Sequence, residues 1–251
     1  MKRIRETIEA GNSILVREYD LFTTAKRKGE PRRPKEQESP LSKVRANYRA
    51  AVRKLTALMN ENCRDGDLHL VFTYRKEERP ASYEAAKNYF LRKIIPALRQ
   101  IYAEQGVAFS YYFYRCEIGT RGGIHHHLVV PQFAPLAFRR VWDTTIGNVT
   151  YSPLYSGEYS ALAAYFLKSD NPDDPVHYNP QSGRKWSMAK SVKRPKPPKK
   201  KELSGSWETK DPYIPKGYIL QADTYYVDVN PFTKRLYRSY IIYKPRGGDR
   251  M

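Results

Sequence analysis

Apolar positions recur along this chain with two periods, and the elements follow from which period holds where. From Pro40 onward Val44, Tyr48, Val52, Leu55 and Met59 are spaced by three to four, which predicts a helix whose opposite face carries Lys43, Arg45, Arg49, Arg53 and Lys54. The β-rich run Leu68-His69-Leu70-Val71-Phe72-Thr73-Tyr74 follows the turn-like Arg64-Asp65-Gly66-Asp67 and predicts a first core strand. A helix is expected from the N-cap Ser82 to about Gln105, with Tyr89, Phe90, Ile94, Ile95, Leu98 and Tyr102 as its apolar stripe. Pro96 should kink or split it. Phe109 to Cys116 and Ile124 to Val130 read as two further strands. A short helix is expected around Leu136 to Trp142, and another from Ser156 to Lys168 before the breakers Asn171-Pro172. Beyond Trp207, Gly217 to Leu220, Tyr225 to Val229 and Leu236 to Tyr243 read as strands, the last two joined as a hairpin through Asn230-Pro231. The order strand, helix, strand, turn, strand predicts an α+β fold, an antiparallel sheet with helices on one side.

Charge changes the picture more than length does. Across 251 residues, 45 Lys+Arg against 26 Asp+Glu give +19, which calls for a polyanionic partner, nucleic acid first. Twenty-one tyrosines favour single strands, because aromatic faces stack on unpaired bases. The organisation expected is a basic N-terminal arm and helix (1–64), a catalytic core (65–183), a Lys/Pro-rich linker (184–206) and a β extension (207–251). The first 38 residues, with Lys26-Arg27-Lys28 and Arg32-Arg33, read as a loosely ordered arm. Between Arg184 and Lys201 nine cations and no acid are interleaved with Pro195, Pro197 and Pro198, which reads as a mobile, phosphate-seeking linker. Candidate DNA contacts are Arg49, Arg53, Arg115, Arg121, Lys193, Arg194, Lys199 and Lys200. No apolar run approaches the roughly 20 residues of a spanning helix and no signal peptide opens the chain, so no membrane partner and an intracellular location are expected. Cys63 and Cys116 read as ordinary reduced cysteines. No P-loop pattern occurs, so unwinding is expected from another protein.

The chemistry concentrates in His125-His126-His127, three of the five histidines. On a strand His125 and His127 share one face while His126 turns to the other with Ile124 and Leu128, so His126 is expected to be structural. Glu117 stands opposite His125 if the hairpin is centred on Arg121 with an odd loop, and opposite His126 if the loop is even. The odd loop is assumed. Two imidazoles and a carboxylate suit a hard or borderline divalent ion, Mn2+ or Mg2+, on a phosphate oxygen. Against this stand a polar strand end with satisfied imidazoles, and pairing of Glu117 with Arg115 or Arg121. Tyr165 and Lys168, three apart on a helix, share a face. The ammonium would favour the phenolate of a group whose usual pKa is about 10, which makes Tyr165 the candidate nucleophile and Lys168 its partner. Tyr159 and Tyr74 are its rivals.

Gly123-Ile124-His125-His126-His127-Leu128-Val129-Val130 resembles the His-hydrophobe-His motif of HUH endonucleases, with histidine at the middle position where the family has an aliphatic or aromatic residue. Leu70 to Tyr74 looks like their first motif, and Tyr165-Phe166-Leu167-Lys168 is similar to their Tyr-x-x-Lys motif. The resemblance covers roughly residues 68–170 and is strongest to single-tyrosine rolling-circle replication initiators of bacterial plasmids and phages. It implies a ferredoxin-like sheet with the metal site on its central strands, Glu117 as third ligand, and attack by Tyr165 on single-stranded DNA at an origin expected to form a hairpin, leaving a 5′-phosphotyrosine and a free 3′ hydroxyl. Host helicase and polymerase, and the bacterial cytoplasm, are the partners and place it implies. A transposase or relaxase would share the chemistry, and a non-catalytic single-strand-binding protein would share only the charge and the tyrosines.

Overall fold

The computed structural model describes residues 2–21, 40–155, 157–179, 186–205, 207–208 and 210–245. Lys26 to Lys28, Arg32, Arg33, Arg184 and Lys185 lie outside the described residues. In chain order the elements are β1 (Lys2–Ala10), β2 (Ser13–Leu21), α1 (Leu41–Asn62), β3 (Leu68–Tyr74), α2 (Tyr83–Tyr89), α3 (Ile95–Glu104), β4 (Phe113–Ile118), β5 (Ile124–Val130), β6 (Gly147–Pro153), α4 (Ser160–Phe166), β7 (Ser187–Met188), β8 (Lys199–Leu203), β9 (Ile219–Val229) and β10 (Leu236–Tyr243). The fold is α+β, with two antiparallel sheets. They belong to two compact units, Met1–Asn60 with Pro195–Met251, and Glu61–Arg194.

The unit Glu61–Arg194 is built on a sheet of order β6-β3-β5-β4-β7. Alternation sends Leu68, Leu70, Phe72, Tyr114, Cys116, Leu128 and Val130 to one face, where they pack on Phe90, Ile94, Leu98 and Tyr102. Each such large apolar side chain contributes roughly 1.5–3 kcal/mol on burial. Ser82 caps α2 as expected, accepting from Ala85 N–H at 3.1 Å. The expected split at Pro96 takes the form of a change in helix type: a π-helical stretch, Phe90–Ile94, joins α2 to α3, which carries Pro96 in its first turn. That wider turn lies beside the residue that cannot donate to the ladder. The helix expected around Leu136 to Trp142 is a 3-10 segment, Pro135–Arg140. Strand β6 was not anticipated: it is an exposed edge, and it begins at Gly147, where a Cβ would stand 1.8 Å from the Thr73 carbonyl oxygen. The reverse face of the sheet carries the polar set, and Phe166 of α4 lies against it with its ring 5.5 Å from that of His69 and 5.8 Å from that of His127. Helices therefore cover both faces instead of one.

The other unit has the sheet order β8-β1-β2-β10-β9. Strand β2 pairs with β1 on one side and β10 on the other, so the expected N-terminal arm and C-terminal extension share one sheet. Residues 2–21 are thus a hairpin and not a loosely ordered arm. Their charges conceal the pattern because they are paired across the ladder, Arg5 Nε with Glu18 Oε1 at 2.6 Å and Lys199 Nζ with Glu9 Oε1 at 2.6 Å. The linker reading also fails for Lys199–Leu203, which pairs with β1 as an edge strand. Lysines there discourage pairing with a further chain. Ala57 of α1 packs against Ala10, Leu15 and Ile241. Among the described residues no helix is long and apolar enough to cross a membrane.

Candidate active site

The β4–β5 hairpin decides which side chains meet. Its ladder pairs Arg115 with His127, Glu117 with His125 and Ile118 with Ile124, leaving the five-residue loop from Gly119 to Gly123. Gly119 N–H donates to Gly123 O at 2.8 Å and Gly122 takes a φ of 72°. The odd loop brings Glu117, His125 and His127 onto one face, together with His69 and Val71 of β3. A cavity of about 410 Å³ opens over that face, lined by Glu117, His125, His127, Tyr165 and Lys168, with Arg79, Arg121 and His177 also lining it. Gly119 leaves room for the His125 ring, since a Cβ there would sit 3.1 Å from Nε2.

Lys168 Nζ lies 2.8 Å from Glu117 Oε1. The other carboxylate oxygen, Oε2, is 3.9 Å from His127 Nε2, and both of these atoms are buried without a hydrogen-bond partner. On its far side His127 Nδ1 meets His69 Nε2 at 3.3 Å, the rings stacked 5.5 Å apart. Burial holds His127 well below the ordinary imidazole pKa, with His69 and Lys168 adding to the effect, and pushes His69 down to about 4. His125 is lowered by burial, against the pull of Glu117. These rings are neutral bases at neutral pH. Tyr165 is 44% exposed, stands edge-on to His127 at 5.4 Å, and has Lys168 Nζ 4.0 Å from its ring centre. As the side chains stand, no group of three or more His, Cys, Asp or Glu among the described residues is gathered tightly enough to hold an ion. The two orphaned atoms facing each other are nevertheless the kind of pair a cation satisfies, and their nitrogen and oxygen chemistry suits Mn2+ or Mg2+.

His126 lies on the other face, fully buried, with Tyr74 and Tyr114 hydroxyls each 2.9 Å from its ring nitrogens and Phe90 stacked at 4.4 Å. Tyr74 is thereby occupied in the core, and Tyr159 is buried outside the cavity lining, its phenol pushed up to about 12 by burial.

Two expected DNA contacts, Arg53 and Arg115, are corrected. Arg115 is 1% exposed and bonds Asp170 at 2.8 Å and Ser169. Arg49 pairs with Asp228 over the Tyr226 ring, and Arg53 donates to the carbonyls of Leu15 and Val16. Arg53 and Arg115 are held inside their units by several acceptors each, whereas Arg49 has one carboxylate partner and keeps 31% of its side chain exposed. Arg121 lines the cavity. Lys193 and Arg194 are exposed, the Lys193 backbone held by Asn62, while the exposed Lys199 and Lys200 face Glu9 and Glu6. Replacing Asp170 by alanine should cost about 3–5 kcal/mol by leaving the Arg115 charge buried. Urea unfolding checks this, and a loss under 1 kcal/mol would contradict a structural pair.

His69, His177 and Arg79 were not anticipated at the cavity. Strand parity in Leu68–Tyr74 was the available signal for His69. His177, whose Nδ1 is 2.9 Å from Asp174 Oδ2, sits in a polar loop without periodicity. Comparison with protein-family models, curated proteins and solved structures returns no match for this chain.

Proposed function

We propose that this chain nicks and rejoins single-stranded DNA through a phosphotyrosine at Tyr165, as the initiator of rolling-circle replication. The observation that carries the reading is the convergence in one cavity of a half-exposed phenol, an ammonium over its ring, and a carboxylate oxygen and imidazole nitrogen left without partners. In the forward step Tyr165 Oη forms a bond to phosphorus as the bond from phosphorus to the 3′ oxygen breaks. The phenolic proton is lost to solvent and the departing 3′ oxygen gains one. Attack by a 3′ hydroxyl on the phosphotyrosine reverses the step and rejoins the strand. Lys168 offsets the negative charge gathering at the phosphoryl group, and Arg121 at the rim of the cavity contributes phosphate affinity. Glu117, His125 and His127 would hold a divalent ion, which when bound supplies Lewis-acid polarisation of the scissile phosphate. The 21 tyrosines and the net charge of +19 suit an unpaired strand, and helicase and polymerase activities would come from the host.

The test is a set of labelled single strands tiled across the replicon that carries the gene, incubated with the protein and Mn2+ or Mg2+. One strand should be cut, and excess chelator should stop cutting while a gel shift persists. Undiminished cutting in chelator would overturn the metal assignment, and a shift without cutting under either ion would leave a non-catalytic strand binder.

A further inference from the structure

We infer that His69 is a positioning residue, which holds the His127 ring by accepting its Nδ1 proton and so leaves Nε2 free to take an ion. The inference rests on the proposed metal site. His127 Nδ1 and His69 Nε2 are 3.3 Å apart, and a neutral imidazole has one N–H and one lone pair, so one ring donates and the other accepts. With His69 donating, the His127 proton sits on Nε2 and faces Glu117 Oε2. With His127 Nδ1–H donating to His69, Nε2 is bare, and Nε2 is the atom that lies buried without a partner beside the carboxylate. Only the second arrangement leaves His127 able to ligate.

His69 can accept that proton at Nε2 when its own proton resides on Nδ1. The packing around the pair supports a positioning role. The two rings are within 14° of parallel, Phe166 lies against both, and Tyr165 meets both edge-on, at 5.8 Å from His69 and 5.4 Å from His127. His69 therefore acts where the ligand, its orienting partner and the nucleophile are held by one aromatic cluster. Partners of this kind, bonded to the outer nitrogen of a ligating histidine, typically change ion affinity by about 10–100-fold when removed.

The experiment compares the full-length parent with His69→Phe and His69→Gln. Glutamine can donate or accept by turning its amide, and phenylalanine can do neither. Free Mn2+ is measured by electron paramagnetic resonance during titration, and long-range 1H–15N spectra of the Mg2+-loaded protein report which His127 nitrogen carries the proton. Expected are Mn2+ binding weakened about 10–100-fold in His69→Phe, recovery toward the parent in His69→Gln, and the His127 proton on Nδ1 in the loaded parent. Equal Mn2+ affinity in parent and His69→Phe, or a loaded His127 protonated at Nε2, overturns the role of His69 while leaving the metal site intact. A parent that takes up no Mn2+ fails at the metal site itself, a separate result. Should His69→Phe fail to fold, the proton position in the parent and the affinity of His69→Gln decide the matter.

Discussion

Tyr165→Phe is expected to abolish strand cleavage and covalent linkage together while leaving fold, Mn2+ uptake and strand affinity close to those of the parent. The substitution removes one hydroxyl from a side chain that is 44% exposed, and the ring contacts to His69, His127 and Lys168 survive it. Its effect on stability should stay within about 0.5 kcal/mol. Activity should fall by at least about 10³-fold, since removal of a nucleophile takes away the reacting atom and not merely its environment. Covalent linkage persisting in the variant would move the nucleophile to another tyrosine. Tyr159 and Tyr74 are poor substitutes, the first buried outside the cavity lining and the second bonded to His126.

The combined change His125→Ala with His127→Ala should eliminate both turnover and measurable Mn2+ uptake, because it takes two of the three proposed ligands from the cavity. Glu117 would keep its contact with Lys168, so the fold has a partner for that carboxylate without the imidazoles. His126→Ala is the informative contrast. That ring is enclosed by Phe90, Tyr74, Tyr114 and Trp142, and truncating it empties a core site and strands two phenols, for a loss of about 2–4 kcal/mol. Its folded fraction should still bind Mn2+. Calorimetric titration beside urea unfolding separates the two effects, and loss of Mn2+ uptake in folded His126→Ala with retention in the double variant would reverse the assignment of faces.

The part of this site that could be read from the sequence is the part governed by strand alternation. Once Ile124 to Val130 is a strand, His125 and His127 must share a face and His126 must oppose them, and the symmetric loop about Arg121 carries Glu117 to the same side. The same rule, applied to Leu68–Tyr74, places His69 with His127, although nothing local shows that the two strands are neighbours. What lay beyond reading was set by distant pairing. Strand β2 meets β10 across most of the chain, and the charged hairpin it forms with β1 looks like an unstructured basic arm until its acids are matched with their cations. Arg115 shows the same limit. Alternation puts it on the face of Glu117, but only the return of Ser169 and Asp170 turns an apparent phosphate contact into a buried ion pair. Lys199 to Leu203 reads as a solvated linker by composition and becomes a strand because an edge tolerates lysine.

The central claim is a tyrosine-linked strand, and the most direct test is mass spectrometry of the parent protein after reaction with a cleavable single strand, Mn2+ present, under denaturing conditions. The account predicts a protein that retains the 5′-phosphorylated end of the DNA, with the nucleotide mass on the peptide containing Ala164-Tyr165-Phe166. Cleavage that leaves both DNA ends free of protein would mean hydrolysis by water and would contradict it.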